Sequence, residues 1–150
     1  MFGKKNGSYK SILKLSLVRI SANAGPGPHP KSNPVEFEDN FKIDLYDPFF
    51  FPNKDIFLKT YDFITCTETA EHFFNPKKEF DTLNSLLKPN GWLGVMTCFL
   101  TKKEAFDKWY YRRDPTHVVF YAEKTFEVIA MQRGWNCEIV TKDVVLFYKP

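Results

Sequence analysis

The chain has 150 residues, of which 43% are hydrophobic and 26% charged, enough for one folded domain with a buried core. Its net charge of +3, with acids and bases mixed along the chain, argues against a nucleic-acid-binding surface, and no apolar run reaches the roughly 18 residues of a membrane span. Cys66, Cys98 and Cys137 have neither the spacing of a metal site nor the even number of a disulfide framework. The sequence therefore predicts a cytoplasmic protein with reduced thiols, no metal and no membrane partner.

The first forty residues combine a strand-like segment with a segment rich in proline and glycine. Apolar residues recur over residues 11–20 in a pattern that favours a strand. Residues 21–34 contain four prolines, which fix φ and remove backbone donors, so a helix is excluded there. Gly25 and Gly27 lie in this segment and would let the backbone approach a ligand closely. A flexible linker is the alternative interpretation.

The centre of the chain contains an apolar strand that ends in polar residues. Residues 41–46 alternate as a strand does and end at Asp47-Pro48, and residues 53–60 are predicted as a loop, with a short strand at 55–58 as an alternative. The apolar run 63–66 predicts a buried strand, after which residues 67–72 turn polar. In an open α/β sheet a ligand usually lies at such an exit. Any strand-to-loop exit has the same pattern, so both interpretations stay open at this point.

A parallel βαβ unit and a closing hairpin follow. Residues 76–87 have apolar residues at helical spacing, with Asn75 as the cap, and the turn at 88–91 leads into an apolar strand at 92–99. A strand, a helix and a strand with short links imply parallel pairing. The patterns further downstream predict a helix at 102–111, a charged loop at 112–117, an extended segment at 118–121, a helix at 123–133 ended by Gly134, and two strands at 135–141 and 144–148.

Four of these motifs, in this order, resemble class I S-adenosylmethionine-dependent methyltransferases of the small-molecule type. They are the acid Asp47 closing an early strand, YDFITCTETAEHF at 61–73, LLKPNGWL at 86–93, and DPTHV at 114–118 ahead of the last helix. The resemblance implies an α/β fold with a Rossmann-like sheet, mostly parallel, with a C-terminal antiparallel hairpin and an incomplete N-terminal part. Residues 1–40 are then a degenerate N-terminal segment and residues 41–150 the methyltransferase-like part of one domain.

The resemblance also implies the cofactor S-adenosyl-L-methionine and residues that bind it. Asp47 corresponds to the acid that accepts both ribose hydroxyls, a task that suits an acceptor-only carboxylate. A turn-initiating aspartate before proline is the alternative interpretation of this residue. The segment after the fourth strand of the family lines the adenosine and methionine moieties, and it corresponds to Cys66, Thr67 and Glu68.

The glycine loop of the family is altered in this chain. Gly25 and Gly27 are the two glycines that remain and are the candidates for cofactor binding there. Ser21 stands where the family has an acid, and Asn23 stands where it has its first glycine. The helix that should follow is replaced by the proline-containing residues 29–34.

The implied reaction is displacement at the sulfonium methyl by an acceptor, expected to be a small molecule, with the protein supplying proximity and orientation. His72 and His117 are the candidate general bases, because imidazole titrates near neutrality. For each of them, a structural histidine bonded to a loop backbone is the favoured alternative. Two further hypotheses stay open: a non-catalytic methyltransferase-like remnant, either a binding or partner domain or an inactive fragment, and another nucleotide-binding α/β domain.

Overall fold

The computed structural model of the protein describes residues 16–20, 42–48, 52–101 and 103–150, with side chains for 44–48, 52–101 and 106–150. The glycine loop with Gly25 and Gly27 therefore lies outside the described residues, as does most of the predicted N-terminal segment. Within the described ranges, no helix is long and apolar enough to cross a membrane.

The described strands form one mixed sheet of six strands in the order β2-β1-β3-β4-β6-β5. Strands β1 to β4 are parallel to one another, β6 runs antiparallel to β4, and β5 closes the sheet as a hairpin with β6. This confirms the predicted α/β fold with a mostly parallel sheet and a C-terminal hairpin. The strands are β1 (Ser16–Ile20), β2 (Lys42–Tyr46), β3 (Tyr61–Thr67), β4 (Leu87–Met96), β5 (Asn136–Thr141) and β6 (Val144–Tyr148).

Helix α1 (Pro76–Leu86) forms the crossover between β3 and β4, as the sequence predicts. It begins where the side chain of Asn75 accepts a hydrogen bond from the backbone of Lys78, with proline at the first helical position, where a missing N–H costs nothing. Phe80, Leu83 and Leu86 recur at helical spacing and are buried. Strand β4 begins directly after Leu86 and pairs with β3 in the same direction.

Helix α2 (Glu123–Arg133) ends at Gly134, which has a φ of 67° in the left-handed region that favours glycine. Its inner face joins a core built largely of aromatic rings. The ring of Phe126 stacks on that of Tyr121 with centroids 5.0 Å apart, and it meets Phe147 of β6 edge-on at 6.0 Å. Edge-to-face and offset contacts of this kind are favourable beyond the area they bury.

Three local predictions were wrong. Residues 54–58 form a short 3-10 helix instead of a strand, because the Asn53 side chain accepts from the Asp55 N–H and turns the chain. Within the predicted helix 102–111, the described residues do not form an α-helix: the 3-10 stretches Lys103–Lys108 and Tyr110–Arg113 are separated by Trp109 in extended conformation. The i, i+3 spacing that suggested a helix serves a 3-10 helix equally well.

The third error concerns residues 88–91, predicted as a turn before the strand. They lie inside β4 as an irregularity, because Leu87 pairs with Tyr61 whereas Trp92 pairs with Phe63. Asn90 takes a positive φ of 61°, and its N–H donates to the carbonyl of Lys149 at 2.8 Å. Asn90 therefore has the backbone conformation of a turn residue, but its hydrogen bond to the backbone of Lys149 keeps it within the sheet.

Candidate functional site

The carboxyl ends of the parallel strands define the candidate site. Strand β1 pairs with β2 on one side and with β3 on the other, so the direction of the strand order reverses between β1 and β3. Ligands of open α/β sheets bind outside the carboxyl ends at this switch point. The register places Ile20 beside Tyr46, and it places Thr67 beside Met96. The residues that follow β1, β2, β3 and β4 therefore converge on one edge.

Asp47 lies on this edge, directly after β2, and only 4% of it is exposed. β1 lies between β2 and β3, and the neighbour spacing of about 4.8 Å puts the ends of β2 and β3 roughly 10 Å apart. That separation suits two walls of one pocket for a nucleoside-sized group. Asp47 is thus placed where an acid can face a ligand at the switch point.

Cys66, Thr67 and Glu68 differ in what they offer to this edge. The Cys66 side chain is fully buried in the core, and this burial raises the pKa of its thiol, so only its backbone is available to a ligand. The Thr67 side chain points to the face of the sheet opposite to that of Cys66, because side chains alternate along a strand, and it is half-buried. The Glu68 N–H donates to the carbonyl of Met96 at 2.9 Å, which continues the β3–β4 pairing by one residue.

Glu68 has a left-handed backbone conformation, with a φ of 48°. Such a conformation is uncommon for a residue other than glycine, and strained backbone of this kind is concentrated at functional sites. The Glu68 carboxyl lies beside Glu71 and Tyr111. Partial burial raises the pKa of Glu68, and the neighbouring charge of Glu71 raises it further.

Beyond Glu68, the chain brings the two predicted histidines together. Residues Ala70–His72 form a 3-10 turn, and the Glu71 carbonyl accepts from the N–H groups of Val118 and Val119 at 2.9 and 3.1 Å. These two bonds hold the loop after Asp114 against the exit of β3. The rings of His72 and His117 then meet at an angle of 66° with their centroids 4.9 Å apart.

Both histidines donate through Nδ1 to a backbone carbonyl. Nδ1 of His72 lies 2.9 Å from the carbonyl oxygen of Thr116, and Nδ1 of His117 lies 2.7 Å from that of Tyr111. A carbonyl only accepts, so the proton of each neutral ring is on Nδ1 and the lone pair is on Nε2. Nε2 of His72 lies 3.9 Å from the Glu71 carboxylate. These backbone bonds are those that the structural interpretation of the histidines predicts. Each Nε2 atom then faces a carboxylate, since Nε2 of His117 lies 3.7 Å from the Asp114 carboxylate.

Glu71 is a residue to which the sequence assigned no chemical role. Its side chain is 1% exposed, and neither carboxylate oxygen makes a hydrogen bond to any described residue. Nearby, the Tyr111 hydroxyl shares a hydrogen bond with the Thr97 hydroxyl at 3.0 Å. Burial raises the pKa of Tyr111, and Glu71 adds to this effect. A buried acid without a partner is costly, so this one requires an explanation.

The fold and this edge together define an α/β domain of the Rossmann-like type, a class of fold in which ligands bind at the switch point. Within that class, a family model described as a methyltransferase domain matches residues 15–140. The chain therefore belongs to this family of methyltransferase domains. The match confirms the resemblance to class I S-adenosylmethionine-dependent methyltransferases.

Solved structures agree with the fold. The YcgJ protein from Bacillus subtilis is 19% identical with a TM-score of 0.51, and the match covers 69% of this chain and 44% of that one. A SAM-dependent methyltransferase from Thermotoga maritima, described as a possible histamine N-methyltransferase, is 13% identical with a TM-score of 0.50, over 90% of this chain and 81% of that one. The chain thus spans less than half of the length of YcgJ. No curated protein matches the chain.

Proposed function

We propose that the protein binds S-adenosyl-L-methionine at the carboxyl edge and transfers its methyl group to a small-molecule acceptor. The observation that carries this proposal is the position of a buried acid, Asp47, on the same edge as the polar exit of β3, on either side of the switch point. Membership of the methyltransferase family supports the choice of cofactor. The low net charge favours a small-molecule acceptor over nucleic acid, and the free thiols favour the cytoplasm.

The residues on this edge fit the cofactor in different ways. The Asp47 carboxylate is proposed to accept both ribose hydroxyls, which are adjacent donors. The backbone of Cys66, together with Thr67 and Glu68, is proposed to line the adenosine and methionine moieties. The Cys66 side chain takes no part, because it is buried in the core. Gly25 and Gly27 are proposed to allow the close approach of the amino acid part of the cofactor.

The cofactor supplies an activated methyl group, so the protein needs mainly to hold the acceptor in line with it. An acceptor that must lose a proton needs a base within hydrogen-bond reach. His72 and His117 are proposed for this role, and the accepting atom is Nε2, since Nδ1 of each donates to the backbone. Loss of Nε2 from either histidine would then lower kcat more than it changes the affinity for the cofactor.

Calorimetry of the full chain with S-adenosyl-L-methionine tests the cofactor assignment. We expect saturable binding, and we expect Asp47→Asn to weaken it at least about tenfold, since a hydrogen bond to a charged group is worth about 1.5–3 kcal/mol. Asp62→Asn is the matched control, because Asp62 lies near the start of β3, away from the carboxyl edge, and pairs with Lys88. Absence of binding at millimolar cofactor would leave the non-catalytic remnant as the function. An unchanged affinity in Asp47→Asn would refute the ribose assignment.

The acceptor class needs a separate experiment. The protein is incubated with cofactor labelled in its methyl group and with a cell extract divided by size into small molecules, protein and nucleic acid. We expect label to enter the small-molecule fraction, and to do so only with wild-type protein and the Asp62→Asn control. Label in the macromolecular fractions alone would contradict the small-molecule proposal while leaving methyl transfer intact.

A further inference from the structure

The side chains of Glu71, His72 and His117 form a compact group, called here the His–Glu cluster. One ligand atom from each residue lies within 4.8 Å of the other two. Metal bonds to imidazole nitrogen and carboxylate oxygen are about 2.0–2.2 Å long, so two ligand atoms of a tetrahedral ion lie about 3.4 Å apart. The ligand atoms of the cluster therefore have to approach one another by up to about 1.4 Å to surround an ion.

The two imidazoles are oriented as metal ligands are. Metal-binding histidines usually donate their second ring N–H to a carbonyl or carboxylate, which fixes the tautomer and the ring direction. His72 does this with the carbonyl of Thr116, and His117 does it with that of Tyr111. Asp114 secures this loop, because its carboxylate accepts from both the N–H and the hydroxyl of Thr116, at 2.9 and 2.6 Å.

Glu71 supplies the independent indication that something is bound. It is buried with both carboxylate oxygens unpartnered among the described residues, although a buried acid ordinarily finds donors. The nearest polar atom of the cluster, Nε2 of His72 at 3.9 Å, is a lone-pair acceptor in the tautomer set by its backbone bond, so it offers no proton. Three potential ligand atoms thus lie close together, and the Glu71 carboxylate makes no hydrogen bond to either histidine.

We propose that the His–Glu cluster binds one divalent transition-metal ion, and that Zn²⁺ is the ion it fits best. Two imidazoles and one carboxylate with a remaining open position form the ligand set of catalytic zinc sites. Mg²⁺ and Ca²⁺ take oxygen ligands and do not suit a pair of imidazoles. Water, an acceptor molecule or the neighbouring Glu68 would fill the open position.

The cluster lies beside the carboxyl edge, because Glu71 follows Glu68 by three residues and the two carboxyl groups are neighbours. An ion there would lie next to the proposed methyl-transfer site and would bind an acceptor through oxygen or nitrogen. An ion in this cluster would take up the Nε2 lone pairs of His72 and His117, so it would replace the general-base role proposed above for these two histidines. It would also give the buried Glu71 carboxylate a charged partner.

Titration of the chelator-treated full chain with Co²⁺ and Zn²⁺ tests the proposal. We expect one equivalent of Co²⁺ to bind with visible d–d absorption, and Zn²⁺ to displace it. Glu71→Gln removes one ligand and His117→Asn removes another while keeping a donor for the Tyr111 carbonyl, so each should weaken Zn²⁺ binding by more than about 100-fold. Glu127→Gln is the matched control, because Glu127 is an exposed acid paired with Lys124 and should bind Zn²⁺ as the wild type does.

Circular dichroism of each variant confirms that a loss of binding is not a loss of fold. The proposal is overturned if the folded wild type takes up no stoichiometric Zn²⁺ or Co²⁺, or if Glu71→Gln and His117→Asn bind as the wild type does. Thiolate-to-cobalt charge-transfer bands would equally overturn it, since they would place the ion on cysteine. Metal uptake is measured without S-adenosyl-L-methionine, so its outcome is independent of the cofactor experiment.

Discussion

Replacing Glu71 by glutamine should stabilise the metal-free protein, although the residue is fully buried. A buried polar group without a hydrogen bond costs about 1–3 kcal/mol, and an unpaired buried charge costs more. Glutamine has nearly the same shape, carries no charge, and would offer an amide N–H to Nε2 of His72, which lies 3.9 Å from the present carboxylate oxygen. We therefore expect the free energy of unfolding of Glu71→Gln to exceed that of the wild type by about 1–3 kcal/mol.

Urea denaturation in the presence of a chelator measures this difference, with Glu127→Gln as a control expected to stay within about 0.5 kcal/mol of the wild type. Thermal unfolding should move in the same direction by about 2–4 °C for each kcal/mol. Zn²⁺ should reverse the order: at 100 times its Kd it would stabilise the wild type by about 2.7 kcal/mol and Glu71→Gln hardly at all. If Glu71→Gln is less stable than the wild type without metal, Glu71 has a protein partner and the reasoning fails.

Further predictions concern the sheet and the helices. Gly91→Ala should destabilise the protein by about 1–3 kcal/mol, because the added Cβ would lie 2.8 Å from the Lys88 carbonyl oxygen. At Gly94 an added Cβ would meet only side chains, at 3.4 and 3.5 Å. Gly94→Ala should therefore reduce the free energy of unfolding distinctly less in the same urea assay. The Asp81 carboxylate accepts hydrogen bonds from Lys77 and Arg133, and these contacts lower the pKa of Asp81. Its contribution to the free energy of unfolding is therefore present above the unfolded pKa of 3.8 and is lost as the pH falls through the lower pKa of the folded protein. Asp81→Asn should therefore be less stable than the wild type near neutral pH and equally stable in strong acid; a difference that persists in acid would contradict the ion-pair explanation.

Elements with complete local signals were predicted correctly from the sequence. Helix α1 has its cap, its proline and its apolar spacing within one segment, and the βαβ rule then sets the direction of β4. Helix α2 ends at Gly134, whose left-handed conformation brings the N–H of Trp135 to the carbonyl of Ala130 at 2.9 Å. The position of Asp47 at the end of a strand is likewise a local property, and parallel pairing brings it to the edge shared with Thr67.

Where the sequence was ambiguous, packing decided. Periodicity does not separate a 3-10 stretch from an α-helix at 103–108, and the extended backbone of Trp109 breaks the helix where its ring meets Phe120 with centroids 5.6 Å apart. The resemblance assigned Cys66 to the cofactor, but the alternation of β3 turns its side chain into the core. A one-residue difference in register is enough to exchange the buried and the exposed side chains of a strand.

The sequence by itself determined an α/β methyltransferase-like chain, the acid after β2, the polar exit of β3 and two histidines worth testing. It did not place those histidines together, because His72 and His117 belong to segments that short-range metal spacings do not connect. Only the tertiary structure does so, through the Glu71 carbonyl, which accepts from Val118 and Val119 and draws the two loops into contact. The same closure removes the Glu71 carboxylate from water, and burial is what turns an ordinary surface acid into a group that needs a cation.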